Sequence, residues 1–350
     1  MESYDVVDWG KPLQKAVRET PKPTGTEVLI KLKYCGVCHS DVHIRDGYFE
    51  LGSGKRFNMY ERGMKLPTTL GHEPYGTVVA AGPDAKSVPI GQDRLVYPWT
   101  GCGRCARCAE GLDNHCTQPR YRGIQAPGGY ADHLLVPDPK YLIDASGIEP
   151  SFAPILACSG LTTYSAVRKL MPCSPDDRIL VTGAGGLGLM AVAVLTALGH
   201  RNIAVAEIDK SKWDAARSLG AVEAFDPSDA ETAKKLLATP GGLWGVVDLV
   251  GAGSTARLAF DSLRKGGRYV AVGLFGGDMT LSLVPMIQRA LTLQGSYVGS
   301  LVELQEVVAL AREGKLKPIP TAICTLAEVS DVLDRLKVGT VVGRVVAKIG

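Results

Sequence analysis

From Arg178 to Gly199 the chain reads RILVTGAGGLGLMAVAVLTALG. A short apolar run is followed by a knot of glycines, and then by an apolar run long enough for three helical turns. This order predicts a strand, a tight turn and a helix packed back onto the strand. Gly183, Gly185 and Gly188 fall in the pattern G-x-G-x-x-G, with Gly186 and Leu187 completing the turn. The first glycine permits the turn, the second lets the backbone approach a pyrophosphate, and the third lets helix and strand pack closely. The helix start offers free N–H groups and a partial positive charge to phosphate. Two further stretches, NIAVAEIDKSKWDAARSLGA and GVVDLVGAGSTARLAFDSLRKGGRYVAVG, repeat the alternation of strand and helix. Such alternation predicts an α/β fold with a doubly wound parallel sheet. Glu207 ends the second strand, 24 residues after Gly183. An acid there suits the adenosine ribose hydroxyls and repels a 2′-phosphate, so NAD is expected rather than NADP. Lys212 is a second candidate for the ribose, against its plainer reading as a surface lysine.

The preceding part of the chain has a different texture. Segments such as TEVLIKLKYCGVC, GTVVAAG, DRLVYP and YADHLLVP are short, apolar or alternating, and broken by Gly, Pro and Asp. They predict a β-rich unit before residue 160. After residue 300 an amphipathic helix, LVELQEVVALAREGKL, precedes a strand-like end, GRVVAKIG. Two domains fit the 350 residues. The net charge of +3 gives no basic field for nucleic acid or an anionic membrane. The first residues lack the pattern of a secretory signal, and GLGLMAVAVLTALG is too short to span a bilayer. With nine cysteines and no export signal, a cytoplasmic protein with reduced thiols is expected.

Four of those cysteines, Cys102, Cys105, Cys108 and Cys116, are spaced C-x2-C-x2-C-x7-C. Four soft thiolates at close range suit a tetrahedral zinc ion and leave no position for water or substrate. The cluster reads as a structural staple, with His115 a bystander. No second pair of ligands follows at zinc-finger spacing and the flanks are not basic, which argues against nucleic acid. A catalytic metal needs distant residues. YCGVCHSDVH offers Cys35, Cys38, His39, Ser40, Asp41 and His43; LGHEPYG offers His72 and Glu73; ILACSGLTTY offers Cys158. Two thiolates, one imidazole and an open position would make a catalytic zinc site. Spacing does not choose between Cys35 and Cys38, and each residue has an ordinary structural reading.

Together these motifs resemble the zinc-dependent alcohol dehydrogenases of the medium-chain dehydrogenase/reductase superfamily. GHEPYGTVVAAG, the four-cysteine lobe and GAGGLG stand in that family's order over nearly the whole chain. The resemblance implies a GroES-like catalytic domain, residues 1–159 and 300–350, around a Rossmann NAD-binding domain, residues 160–299. It implies two zinc ions per chain, a catalytic one on Cys38, His72 and Cys158 and a structural one on the four clustered cysteines. It places Glu73 beside the catalytic metal and Asp41 behind His72. His39 and Arg344 would face the cofactor pyrophosphate, Thr162 the nicotinamide, and Trp99 the substrate. The short gap from Cys116 to Cys158 is similar to that of the homotetrameric microbial enzymes.

The expected reaction interconverts alcohols with aldehydes or ketones. Hydride leaves an alcohol readily only once the hydroxyl proton is lost, and zinc acidifies that hydroxyl. Ser40 would take the proton and pass it through the nicotinamide ribose to His43. The insert GYFELGSGKRFNMYERGMKLPTTLGHE resembles that of bacterial 6-hydroxyhexanoate dehydrogenases. It carries Lys55, Arg56, Arg62 and Lys65 against Glu50 and Glu61, a balance that suits an ω-carboxylated substrate, against the plainer reading of a solvated loop or a subunit contact. Two other readings are a polyol or sugar dehydrogenase of the same superfamily and a non-catalytic nucleotide-binding protein.

Overall fold

A computed structural model of the chain describes residues 1–238 and 240–350. The first unit is built around the long strand Val28–Val37, whose sequence VLIKLKYCGV keeps its apolar positions buried. Pro74–Ala81 pairs antiparallel with one edge of it, followed by Asp93–Val96 and Leu142–Ile143, and His133–Val136 also pairs with it. The other edge takes Arg344–Lys348 antiparallel, with Val345 opposite Val37, and Thr321–Thr325 lies beyond it. The end of the chain thus closes the sheet begun near residue 28.

The second unit is a six-stranded parallel sheet. Its spatial order is Glu223–Phe225, Ile203–Ala206, Ile179–Thr182, Leu243–Asp248, Leu263–Ala271 and Thr292–Gly295. In chain order that is 3-2-1-4-5-6, the doubly wound arrangement whose ligand crevice opens at the carboxyl ends of the central strands. Ile179–Thr182 and Ile203–Ala206 are buried on both faces, which is why they read as unbroken apolar runs rather than alternating ones. The helix Gly186–Ala197 follows the glycine turn, and its residues from Gly188 to Leu195 are buried.

The boundary expected at residue 159 falls inside one helical run. Ala153–Ile155, a π-turn over Leu156–Gly160 and Leu161–Arg168 follow without a break. A π-turn widens the helix and re-aims its side chains, and such bulges concentrate at functional sites. The insert after His43 folds as a hairpin, Tyr48–Glu50 against Arg56–Asn58, and a single turn Met59–Arg62. No helix among the described residues is long and apolar enough to cross a membrane.

Candidate active site

Cys38 caps the helix His39–Asp46, so the sulfur, Ser40 and His43 project from one helix start. Cys158 comes from the π-turn, and His72 with Glu73 from the segment entering Pro74–Ala81. The four side chains are buried, and their Sγ, ring nitrogen and carboxylate atoms all lie within 4.8 Å of one another. Cys38 Sγ and Cys158 Sγ are 4.0 Å apart. Cys35, which spacing alone left equal to Cys38, lies on the strand with its sulfur against the Gly36 carbonyl. Cys38, not Cys35, is therefore the thiol in this cluster.

The surroundings of His72 fix its ring. Its Nδ1 is 3.0 Å from Asp41 Oδ1, leaving Nε2 buried without a hydrogen-bond partner among the described residues. Asp41 Oδ2 accepts from the Tyr130 hydroxyl at 2.7 Å and from the Cys38 N–H at 3.1 Å. Burial opposes a charged imidazole, but the charge and hydrogen bond of Asp41 override it and hold His72 well above the ordinary histidine range. The Cys38 and Cys158 sulfurs share one proton contact, which holds Cys38 well below its usual value and Cys158 well above it. Burial lifts Glu73 to about 7, against the opposing pull of Arg344. Two sulfurs, an unpartnered Nε2 and an unpartnered Glu73 Oε2 facing one point form a donor set that fits zinc, which would displace the remaining protons.

Glu73 contributes an atom at ligand range and is itself tied to the cofactor half. Arg344 Nη2 donates to its other oxygen, and the Arg344 stem lies against Gly186. Gly36 admits the Glu73 side chain: a Cβ there would come within 1.7 Å of Oε2. Sequence reasoning passed over Gly36 and Tyr130, because neither carries metal-ligand chemistry. Their signal is steric or second-hand, and only the fold exposes it.

The second cluster is closer to the surface. Cys102, Cys105, Cys108 and Cys116 also bring their sulfurs within 4.8 Å of one another. Cys116 Sγ accepts N–H bonds from Cys102 at 3.2 Å and Gln118 at 3.3 Å. Backbone N–H donation, first from Arg104, lowers Cys102 to about 6, whereas burial raises Cys108 to about 12. His115 points outward and is exposed, so this set offers four thiols and fits a closed zinc site.

A cleft of about 370 Å³ joins the buried cluster to the glycine turn. Gly183 has φ +82°, Gly185 has open space where a Cβ would stand, and a Cβ on Gly188 would meet the Gly183 carbonyl at 1.9 Å. These are the three duties expected of the pattern. His39, Ser40, His43, Thr162, Glu207, Lys212 and Arg344 all line the cleft. Thr162 Oγ1 is buried without a hydrogen-bond partner among the described residues. Glu207 also does local work: its carboxylate accepts from Ala184 N at 2.6 Å and Asp209 N at 2.8 Å, bracing the glycine turn. Lys212 is mostly buried and donates to the Gly339 carbonyl at 3.2 Å, tying the tail to this half.

The cleft also has an aromatic and apolar wall, which includes Phe49, Trp99, Ile124, Tyr297 and Val298. Trp99 Nε1 donates to the Ala157 carbonyl, which sets its ring 5.4 Å from that of His72. Of the four basic residues of the insert, Arg62 reaches this cleft and donates to the Tyr297 hydroxyl at 3.0 Å. Arg56 instead pairs with Glu50 at 2.9 Å and lies over the Tyr48 ring, and it is exposed.

Comparison with known proteins agrees with this geometry. Residues 24–146 match the alcohol dehydrogenase GroES-like domain, and residues 186–313 match the zinc-binding dehydrogenase domain. An NAD-dependent alcohol dehydrogenase of Sulfurisphaera tokodaii is 36% identical over 98% of this chain and 99% of its own. The crystal structure of the alcohol dehydrogenase from Aeropyrum pernix superimposes with a TM-score of 0.88 at 29% identity, over 99% of this chain and 100% of that one. The D-arabinose dehydrogenase of Sulfolobus solfataricus superimposes with a TM-score of 0.82, also at 29% identity, over 99% and 98%.

Proposed function

The chain belongs to the zinc-dependent alcohol dehydrogenases of the medium-chain dehydrogenase/reductase superfamily, and on that premise we propose that it oxidises alcohols with NAD at the Cys38–His72–Cys158 centre. The observation that carries this reading is the buried donor set at the end of a cleft that runs to the glycine turn. When bound, zinc supplies the acidity that frees an alcohol hydroxyl of its proton, and NAD supplies the hydride acceptor.

The chain's own residues supply the rest. Cys38, His72 and Cys158 would hold the catalytic ion, with Glu73 next to it, and the four clustered cysteines the structural ion. Ser40 Oγ is 3.7 Å from Cys38 Sγ and stands at the cleft wall, where it can receive the alcohol proton. His43 lies three residues on, one helical turn away on the same face, as the next acceptor. Burial, with His39 nearby, lowers His43 below the ordinary histidine value, so it is a neutral base at neutral pH. Thr162 is free to bond the nicotinamide amide, Arg344 and His39 lie where phosphate would pass, and Glu207 stands where a 2′-phosphate would be repelled.

The fold alone does not separate alcohols from sugars, since both kinds of dehydrogenase share it. The lining does. Aromatic and aliphatic walls offer few partners for a row of hydroxyls, which favours a linear or aromatic alcohol over a polyol. Arg62 narrows the choice further toward an alcohol with a carboxylate at its far end, such as a 6-hydroxyhexanoate. We place the enzyme in the cytoplasm, where its nine cysteines would stay reduced, and as a homotetramer, supported by the short segment between Cys116 and Cys158. The test is NAD reduction against neutral alcohols, their ω-carboxylated analogues of equal length, benzyl alcohols and polyols. A lower KM for the carboxylate that disappears in Arg62→Ala supports the clamp. Equal use of the neutral alcohol reduces the reading to a general alcohol dehydrogenase, and preference for polyols overturns it.

A further inference from the structure

A thioether and an imidazole both approach one thiol at the end of the cofactor sheet away from the glycine turn. Cys173 Sγ lies 3.4 Å from Met171 Sδ and 3.8 Å from His200 Nε2. Met171 and Cys173 belong to the connection that follows the helix Leu161–Arg168 and leads into Ile179–Thr182. His200 belongs to the turn between the helix Gly186–Ala197 and the strand Ile203–Ala206. Both segments therefore enter the amino ends of two neighbouring strands, Ile179–Thr182 and Ile203–Ala206, whereas the glycine turn leaves from the carboxyl end. The trio shares no residue with the catalytic cleft or the four-cysteine lobe.

The chemistry of the three donors is selective. His200 is only 6% exposed, and its Nε2 faces the Cys173 sulfur. Cys173 and Met171 are half-buried, so the sulfurs can be reached from solvent. No carboxylate stands among the donors. The nearby Asp177 is paired with Arg264 at 2.9 Å, so that charge is already balanced. A thiol, a thioether and an imidazole without a carboxylate suit a soft monovalent cation far better than magnesium, calcium or manganese. Charge points the same way: one thiolate neutralises one positive charge, which a half-buried site tolerates.

We propose that Met171, Cys173 and His200 form a third metal site, one that takes Cu(I). Binding exchanges the Cys173 thiol proton for the metal. A sulfur–copper bond forms, the proton leaves to solvent, and no oxidation state changes. The ion would join the connection before the first cofactor strand to the turn after the glycine helix, and so brace the base of the cofactor sheet.

The test is anaerobic titration of the zinc-loaded enzyme with Cu(I) held by a competing chelator, followed by desalting and metal counting. The proposal expects one copper retained per chain with the zinc content unchanged, and a melting temperature that rises with free Cu(I) as for any ligand of the native state. Cys173→Ser should lose both the copper and the thermal shift, while keeping its zinc and its turnover. Met171→Leu should bind more weakly, and Cys324→Ser should behave as the parent. Failure to retain copper overturns the proposal. So does equal uptake by Cys173→Ser, and so does uptake only at the cost of zinc. Each of these outcomes leaves the alcohol dehydrogenase reading untouched, because turnover is measured separately.

Discussion

Asp41 holds His72 by its Nδ1 at 3.0 Å, and the position of that one bond decides which ring nitrogen faces the two sulfurs. A carboxylate accepts but cannot donate, so Nδ1 stays the protonated nitrogen and Nε2 is the one a metal would take by displacing its proton. Asp41→Asn could donate instead and favour the opposite tautomer. It should weaken zinc binding by about 10–100-fold, read by chelator competition. Tyr130→Phe removes a neighbour of Asp41 without touching His72, and should cost less. Equal zinc affinity in Asp41→Asn and the parent would remove the tautomer account.

The two cysteine clusters should fail in different ways. Cys38→Ser is expected to abolish turnover with a melting temperature near that of the parent. Cys105→Ser opens a closed site whose metal contributes to folding, and should lower the melting temperature and release one zinc. Paired metal analysis and thermal unfolding check both. Loss of activity without loss of stability in Cys105→Ser would contradict the division of labour.

Much of this was legible in the chain because the signals are local. The glycine turn, the four-cysteine spacing and the strand–helix alternation each sit within about thirty residues, and each matches one structural solution. What was not legible depends on residues brought from afar. Spacing left Cys35 and Cys38 equal, because strand alternation and a helix start offer both sulfurs plausible directions; Cys38 leads because it caps the helix beside His72. Arg62 and Arg56 look alike in the insert, yet the hairpin leaves Arg56 on Glu50 and the turn after it brings Arg62 to the cleft. The sequence offers Glu207 as a ribose partner or a solvated strand-end charge, and neither reading foresees that its carboxylate bonds the Ala184 N–H.

Cofactor choice follows from Glu207. Like charge at close range costs more than ~1.4 kcal/mol, so kcat/KM with NADP should be lower than with NAD by at least about tenfold. Because Glu207 also braces the glycine turn, Glu207→Gln should narrow that ratio and weaken NAD as well. Steady-state kinetics with both cofactors decide it, and a parent enzyme that favours NADP would displace Glu207 from the ribose site.

The pH profile tests His43. Its pKa is lowered, chiefly by burial, so it stays neutral until the pH falls below the ordinary histidine range. The base is lost as pH falls through that lowered value, and kcat/KM for alcohol oxidation should decline there and be flat above it. His43→Gln should abolish that limb and slow turnover while NAD affinity is kept. An unchanged profile in the variant would assign the proton path elsewhere.

The central claim is direct hydride transfer at the Cys38–His72–Cys158 centre, and isotope tracing tests it most directly. An alcohol carrying deuterium on its hydroxyl-bearing carbon is oxidised with NAD, and the reduced cofactor is analysed by mass spectrometry. The account predicts one deuterium per reduced cofactor with the zinc-loaded enzyme, and none formed by Cys38→Ser. Deuterium found in water rather than in the cofactor, or full transfer by Cys38→Ser, would contradict it.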